Sequence, residues 1–256
     1  MKKLLFFDVD GTLYNSKKQL PPSAKEAIIQ ARENGHEIAI ATGRAPFMIQ
    51  DLLNELQVDT YVTFNGQYVV YKGKVIFTDQ IPTGELEQIL AFGQTNEHPF
   101  VFINEHEMVA TSPNHESIAK SLGTLHYPYP IIDANYYLNQ PVYQTLLFAK
   151  QHEQQLYEEK FPTVQFVRWH EYSCDMLPAF GSKARGIQKL IEHIQMSMEE
   201  VIAFGDGLND VEMLSTVGLG VAMGNGHEKA KAAASFVAEH VDEDGLAKAM
   251  RTLKLI

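Results

Sequence analysis

One cysteine, Cys174, is all that the 256 residues contain. That excludes an intramolecular disulfide, fits a reducing compartment, and makes a small buried apolar side chain the expected role of the thiol. Positive charge is also scarce: 21 Lys and Arg against 32 Asp and Glu leave a net charge of −11. Nucleic acid and anionic membranes are therefore poor partners, because phosphate surfaces demand basic ones. A small phosphorylated metabolite remains open, since a bound divalent cation and a few local cations can reverse the sign within one site. Long apolar runs are missing too, and none approaches the roughly 18 residues of a transmembrane helix. Met1-Lys2-Lys3-Leu4-Leu5-Phe6-Phe7 opens like a signal peptide, but Asp8 stops its apolar run well short of the about seven to fifteen residues such a segment needs. There is no internal repeat and no low-complexity segment. The expectation is a soluble, cytoplasmic protein, monomer or homodimer, with 45% hydrophobic residues to build a full core.

What is present begins at that interruption. Leu4-Leu5-Phe6-Phe7 runs directly into Asp8-Val9-Asp10-Gly11-Thr12, and strands are depleted in Asp, so carboxylates just past a buried strand are a poor choice for folding alone. Period-two alternation points Asp8 and Asp10 to one side if the strand continues, and Gly11 lets the backbone turn close to a ligand. Two carboxylates sharing a site repel, and a hard divalent cation such as Mg²⁺ compensates them. An isolated Asp-x-Asp is equally compatible with two turn caps. The rest of the chain favours chemistry: Ile38-Ala39-Ile40-Ala41 ends in Thr42-Gly43-Arg44, and Val201-Ile202-Ala203-Phe204 ends in Gly205-Asp206-Gly207-Leu208-Asn209-Asp210. In an open parallel sheet the carboxyl ends of strands form the binding crevice, so these segments are expected to converge. Lys183, ahead of a helix patterned by Ala184, Ile187, Leu190, Ile191 and Ile194, supplies a fourth element. A cation in a helix's first turn opposes the dipole, which favours an anion beside it.

These segments, in this order, resemble the four motifs of the haloacid dehalogenase superfamily of phosphohydrolases. Asn65-Gly66, the Ala41-Thr42-Gly43-Arg44 form and Gly220-Val221-Ala222-Met223-Gly224-Asn225 are similar to its Cof-like subgroup with a type IIB cap, and the resemblance spans nearly the whole chain. It departs at Gly226 and Ala238, and at Ala184-Arg185 before Gly186, without removing a catalytic group. The fold implied is α/β, a Rossmann-like parallel sheet with helices on both faces plus an inserted α/β cap. The expected division is 1–81 core, 82–180 cap and 181–256 core.

Periodicity agrees with alternation in the core. It predicts a helix over 23–34 with Ser23 as N-cap and Glu26 completing a capping box, a strand over 36–41, a helix over 46–56, a strand over 61–64 and a hairpin over 68–77. In the cap it predicts strands over 100–103, 142–148 and 164–177, with helices near 85–95, 114–122 and 152–161. Later come a strand over 219–223 and helices over 227–234 and 245–253.

The resemblance implies that Asp8 is a nucleophile, Asp10 the acid/base, and Thr42 and Lys183 the groups holding phosphoryl oxygens. It implies Mg²⁺ held by Asp8, the backbone carbonyl of Asp10, Asp206 and waters oriented by Asp210. Gly11, Thr12, Gly43, Arg44, Asn65 and Asn209 are the candidate substrate contacts. Trp169, His170 and Tyr172 are assigned to the cap core before any substrate role, and His106 and His115 show no metal-ligand spacing. The activity implied is Mg²⁺-dependent hydrolysis of small phosphorylated metabolites, either sugar phosphates or nucleotide- or flavin-like phosphates, through an aspartyl-phosphate. The alternatives are a phosphomutase using the same aspartates and a non-catalytic metabolite sensor.

Overall fold

The computed structural model describes residues 2–256; Met1, where the signal-like opening starts, lies outside them. The apolar run after the two lysines forms strand β1 (Leu4–Phe7), and all four of its residues are buried. Burial on both faces suits a central parallel strand. Helix α1 (Pro22–Glu33), strand β2 (Glu37–Ala41), helix α2 (Gln50–Leu56), strand β3 (Tyr61–Thr63), and the hairpin strands β4 (Tyr68–Tyr71) and β5 (Lys74–Thr78) follow. Next come α3 (Thr83–Thr95), β6 (Phe100–Ile103), β7 (Met108–Ala110), α4 (Glu116–Thr124), β8 (Ile131–Ile132), β9 (Gln144–Leu147), α5 (Gln151–Lys160), β10 (Val164–His170) and β11 (Ser173–Pro178). Alternation resumes with α6 (Lys183–Ile194), β12 (Val201–Gly205), α7 (Val211–Thr216), β13 (Leu219–Ala222), α8 (Glu228–Ala233), β14 (Phe236–Val237) and α9 (Gly245–Thr252). No helix among the described residues is long and apolar enough to cross a membrane.

The chain divides into two compact units. The first takes the residues up to Arg44, Met48–Thr78 and Ser182–Ile256, and the second takes Ala45–Phe47 and Asp79–Gly181. In the first, eight strands are ordered β14-β13-β12-β1-β2-β3-β4-β5. All pairs are parallel except β3–β4 and β4–β5. Alternate residues of β1 feed two cores. Leu5 and Phe7 pack with Ile28 of α1, Leu52 of α2 and Met250 of α9. Leu4 and Phe6 pack with Ile187 and Leu190 of α6 and Met213 of α7. Helices thus cover both faces, and each fully buried Leu or Phe contributes about 1.5–3 kcal/mol of transfer free energy.

The second unit is a sheet ordered β10-β11-β9-β6-β7-β8. Phe100, Phe102, Leu147, Cys174 and Met176 on one face form its core with Leu86 and Ile89 of α3 and Tyr157 of α5. Burial pushes the Cys174 thiol up to about 12, so it packs as a small apolar side chain.

Several local expectations are corrected. Ser23 does not cap α1: Pro21 and Pro22 occupy the N-cap and first position, where a missing N–H costs nothing, and the Ser23 hydroxyl donates to Asp244 instead. Residues Pro46–Ile49 form a 3₁₀ turn before α2. The single strand expected over 164–177 is an antiparallel pair, β10 and β11, whose register shifts between Arg168 and His170. Strands β7, β8 and β14, of two or three residues each, are too short to leave a periodic signal.

One glycine links the fold to the site. Gly66 has φ +98°, and a Cβ there would strike the carbonyl of Ser182, the N-cap whose Oγ accepts from Arg185 N at 3.1 Å at the start of α6. Gly66→Ala adds both a strained backbone and a clash, so it should lower unfolding free energy by about 2–4 kcal/mol. Urea denaturation measures this; an unchanged midpoint would mean that the turn and α6 can separate at no cost.

Candidate active site

Strand register brings the polar segments level. Phe7 pairs with Phe204 on one side and Ile40 on the other, so Asp8, Gly205 and Ala41 end their strands at the same edge. Asp8 N donates to Phe204 O at 2.9 Å, continuing the ladder by one bond, and its carboxylate is 6% exposed. Lys183, the first residue of α6, is fully buried. Its Nζ donates to Asp8 Oδ1 at 2.5 Å and Asp210 Oδ1 at 2.7 Å. The anion expected beside this helix-start cation is thus first of all a pair of carboxylates.

Asp210 is held from both ends. Its second oxygen accepts from the backbone N–H groups of Asp206 and Gly207 at 3.0 and 2.8 Å. Asp206 Oδ1 accepts from the Thr12 hydroxyl at 3.2 Å. Gly11, at φ +80°, has no Cβ to strike the Asp206 carboxylate. One oxygen from each of Asp8, Asp206 and Asp210 lies within 4.8 Å of the others.

Three carboxylates meet one cation, and the titration behaviour reflects the shortfall. Burial pushes the Asp8 carboxyl well above its ordinary range against the pull of Lys183, with Asp210 and Asp206 adding to the rise. Burial and then Asp210 push Asp206 up to about 6. Burial disfavours a charged Lys183, yet Asp210 and Asp8 outweigh it and hold the amine protonated, above its usual range. Hard oxygen donors in charge excess fit a divalent cation such as Mg²⁺.

Asp10 is not one of this trio. Its carboxylate, 53% exposed, is clamped by Arg44, with Nε to Oδ2 at 2.8 Å and a terminal nitrogen to Oδ1 at 2.6 Å. The Arg44 guanidinium also lies over the Tyr14 ring, 5.7 Å from its centroid. Thr42 is 1% exposed, and its hydroxyl accepts from Arg44 N at 3.2 Å. Asn65 occupies the left-handed region at φ 51° and ψ 43°. Its amide packs against Gly43, where a Cβ would lie 3.0 Å from Nδ2. Asn209 Nδ2 donates to Asn65 Oδ1 at 3.0 Å. Asp8, Asp206, Asp210 and Lys183 therefore meet with Thr12 and Gly11 at their wall, while Asp10 with Arg44, and Asn65 with Asn209, form two adjoining pairs.

Sequence reasoning gave no role to Asn225. Its Nδ2 donates to Gly11 O at 2.8 Å, its Oδ1 accepts from Val241 N at 2.9 Å, and nearby His227 N donates to Asp206 O at 2.8 Å. The segment after β13 thus braces both acidic loops. An Asn after Gly at a strand's end was the available signal, and it reads first as a turn.

A family model described as haloacid dehalogenase-like hydrolase matches residues 5–250. YkrA of Bacillus subtilis (strain 168) is 41% identical over 254 residues, covering 99% of this chain and 98% of that one. The pyridoxal phosphate phosphatase YbhA of Escherichia coli (strain K12) is 30% identical over 270 residues, covering 96% of each. Among solved structures, the subclass IIB sugar phosphatase BT4131 superposes with a TM-score of 0.85 at 34% identity, covering 100% of both chains.

The raised pKa of Asp206 has a signed consequence. A carboxyl whose folded pKa exceeds its unfolded value of about 3.9 binds protons more strongly when folded, so its contribution is fully favourable below about pH 4 and is lost as pH rises through about 6. Asp206→Asn keeps the acceptor for Thr12 and removes the charge. In EDTA it should be more stable than the unsubstituted protein at pH 8, with the gain fading toward pH 4 in paired denaturation curves. A gain that ignores pH would contradict the crowding of these carboxylates.

Proposed function

Since the chain belongs to the haloacid dehalogenase-like hydrolases, we propose that it hydrolyses phosphate monoesters of small metabolites through a phosphoryl group carried on Asp8. The observation behind this reading is the contrast between two carboxylates two residues apart in sequence. Asp8 is buried against a fixed ammonium, whereas Asp10 is half exposed and paired with a guanidinium. Opposed environments are how one site keeps a nucleophile and a proton carrier distinct.

In the proposed reaction Asp8 attacks phosphorus, and Asp10 first protonates the departing alcohol and then takes a proton from water attacking the phosphoryl-aspartate. To do so its carboxylate must leave Arg44, whose guanidinium then turns to an incoming anion. Lys183 holds Asp8 in place and offsets negative charge on the transferred group, and Thr42 offers its hydroxyl to the same oxygens. Asp8, Asp206, the Asp10 carbonyl and, through water, Asp210 would hold Mg²⁺, which supplies Lewis-acid stabilisation of the phosphoryl oxygens. Sugar phosphates and nucleotide- or flavin-like phosphates are the proposed substrates, supported by a relative named for pyridoxal phosphate and a neighbour named for sugar phosphates.

Two measurements test this. Chelation should abolish turnover of phosphate esters and Mg²⁺ should restore it; full turnover in excess EDTA after metal stripping would remove the metal from the reading. Asp10→Asn should separate the two proton transfers, because an aryl phosphate leaves as a stabilised phenolate and scarcely needs an acid. The variant should release a burst of phenol approaching about one equivalent and then stall with phosphate on Asp8, found by mass spectrometry after acid quench, while alkyl esters fail at both steps. Steady aryl ester hydrolysis at the unsubstituted rate, with no burst or adduct, would overturn the assignment of Asp10.

A further inference from the structure

One side chain beside the site has no part in the chemistry proposed above. The segment after Asp8 turns back on itself: Tyr14 N donates to Val9 O at 2.7 Å, Gly11 N donates to Tyr14 O at 3.1 Å, and Asp10 and Tyr14 form an isolated parallel bridge. The turn thus fixes Tyr14 beside Asp10. The Tyr14 side chain is partly buried against the core that contains Val9 and Leu13, and the Arg44 guanidinium lies over its ring, 5.7 Å from the centroid. One ring therefore rests on the core and carries the cation that grips both oxygens of Asp10.

The Arg44 side chain is 27% exposed and that of Asp10 53%. A pair so open to water is ordinarily held loosely, because two side chains must be ordered while solvent screens their attraction. A ring under the guanidinium removes part of that disorder: it attracts the cation and sets its plane before the fork meets an acceptor. Burial, against the pull of Arg44, pushes the Tyr14 hydroxyl above its ordinary value, so the ring stays uncharged where carboxylates and phosphates ionise.

We propose that Tyr14 is a positioning residue: its ring holds the Arg44 guanidinium in one plane, so that the same fork passes from Asp10 to the oxygens of an incoming phosphate without losing its orientation. The inference rests on the anion-binding role given to Arg44 in the proposed reaction and adds the residue that fixes the fork.

Calorimetric titration of inorganic phosphate into the full chain, in the presence of Mg²⁺, reads the fork without turnover. Tyr14→Leu keeps an apolar side chain against the core and removes the ring; it should weaken phosphate binding about two- to five-fold, the range of a cation–π contact at an exposed site. Tyr14→Met is the second variant if Tyr14→Leu folds poorly. Tyr14→Phe, which keeps the ring, should recover the loss, and Tyr14→Leu should weaken binding no further in an Arg44→Met background. With a phosphate ester the same factor should appear in KM while kcat stays within about two-fold, whereas a turn merely disturbed beside Asp8 would lower kcat. Unchanged phosphate binding in Tyr14→Leu, an equal loss in Tyr14→Phe, the same loss with Arg44 replaced, or no phosphate binding by the unsubstituted protein would each overturn the proposal. If the binding pattern holds and no ester is turned over, the phosphatase reading fails and the positioning role of Tyr14 stands.

Discussion

The ammonium of Lys183, sealed from water between Asp8 and Asp210, is the contact on which the rest of the site depends. Replacing a buried ion pair by packed apolar residues is often neutral or stabilising, whereas removing one partner commonly costs about 3–5 kcal/mol. Such a pair is therefore weak evidence of a need for stability. Here it also leaves two carboxylates in excess of one cation, among Asp8, Asp206 and Asp210. A fold selected for stability alone would not accumulate that charge inside itself. The cluster makes physical sense as a site that gains its missing positive charge on binding.

The sheet makes this concentration of charge possible by putting it where backbone donors are available. Parallel register ends β1, β2 and β12 together, and the N–H groups of Asp206 and Gly207 then point at Asp210. Absent side chains supply the remaining room. A Cβ on Gly205 would lie 2.5 Å from the Asp210 carboxyl carbon, and one on Gly11 would meet Asp206. Asn225 pins the Gly11 carbonyl from the far end of the first unit, so the loop after Asp8 is fixed by a contact spanning most of the chain.

Much of this was legible before any coordinates because the signals were local. A strand that stops in carboxylates announces itself, and so does Asn65-Gly66, whose positive φ values few other pairs tolerate. What escaped was chosen by distant partners. Ser23 has the chemistry of an N-cap, but two prolines before it already satisfy the helix start. The Glu171-Tyr172 turn between β10 and β11 carries no Gly, Pro or Asn, so one strand was expected where two are paired. The partner of Thr12 was equally invisible, because its hydroxyl donates to Asp206, 194 positions away. Trp169 was assigned to the cap core by its ring, whereas alternation from Val164 and Phe166, which pack on that core, places it outside the apolar cluster.

Arg44 shows why identity alone cannot assign roles. Read from sequence, it is a cation at a strand's end, equally suited to bind substrate or to brace a loop. Its bidentate grip on Asp10 unites the two, because a guanidinium holding a carboxylate is also a fork of the right geometry for a phosphoryl group. While the grip lasts, both Asp10 carboxylate oxygens are turned toward Arg44. In the proposed reaction an incoming dianion would compete for the same guanidinium, and by winning it would release the carboxylate. Binding and activation would then be one exchange of partners, which would tie the freedom of the Asp10 carboxylate to the presence of a bound anion.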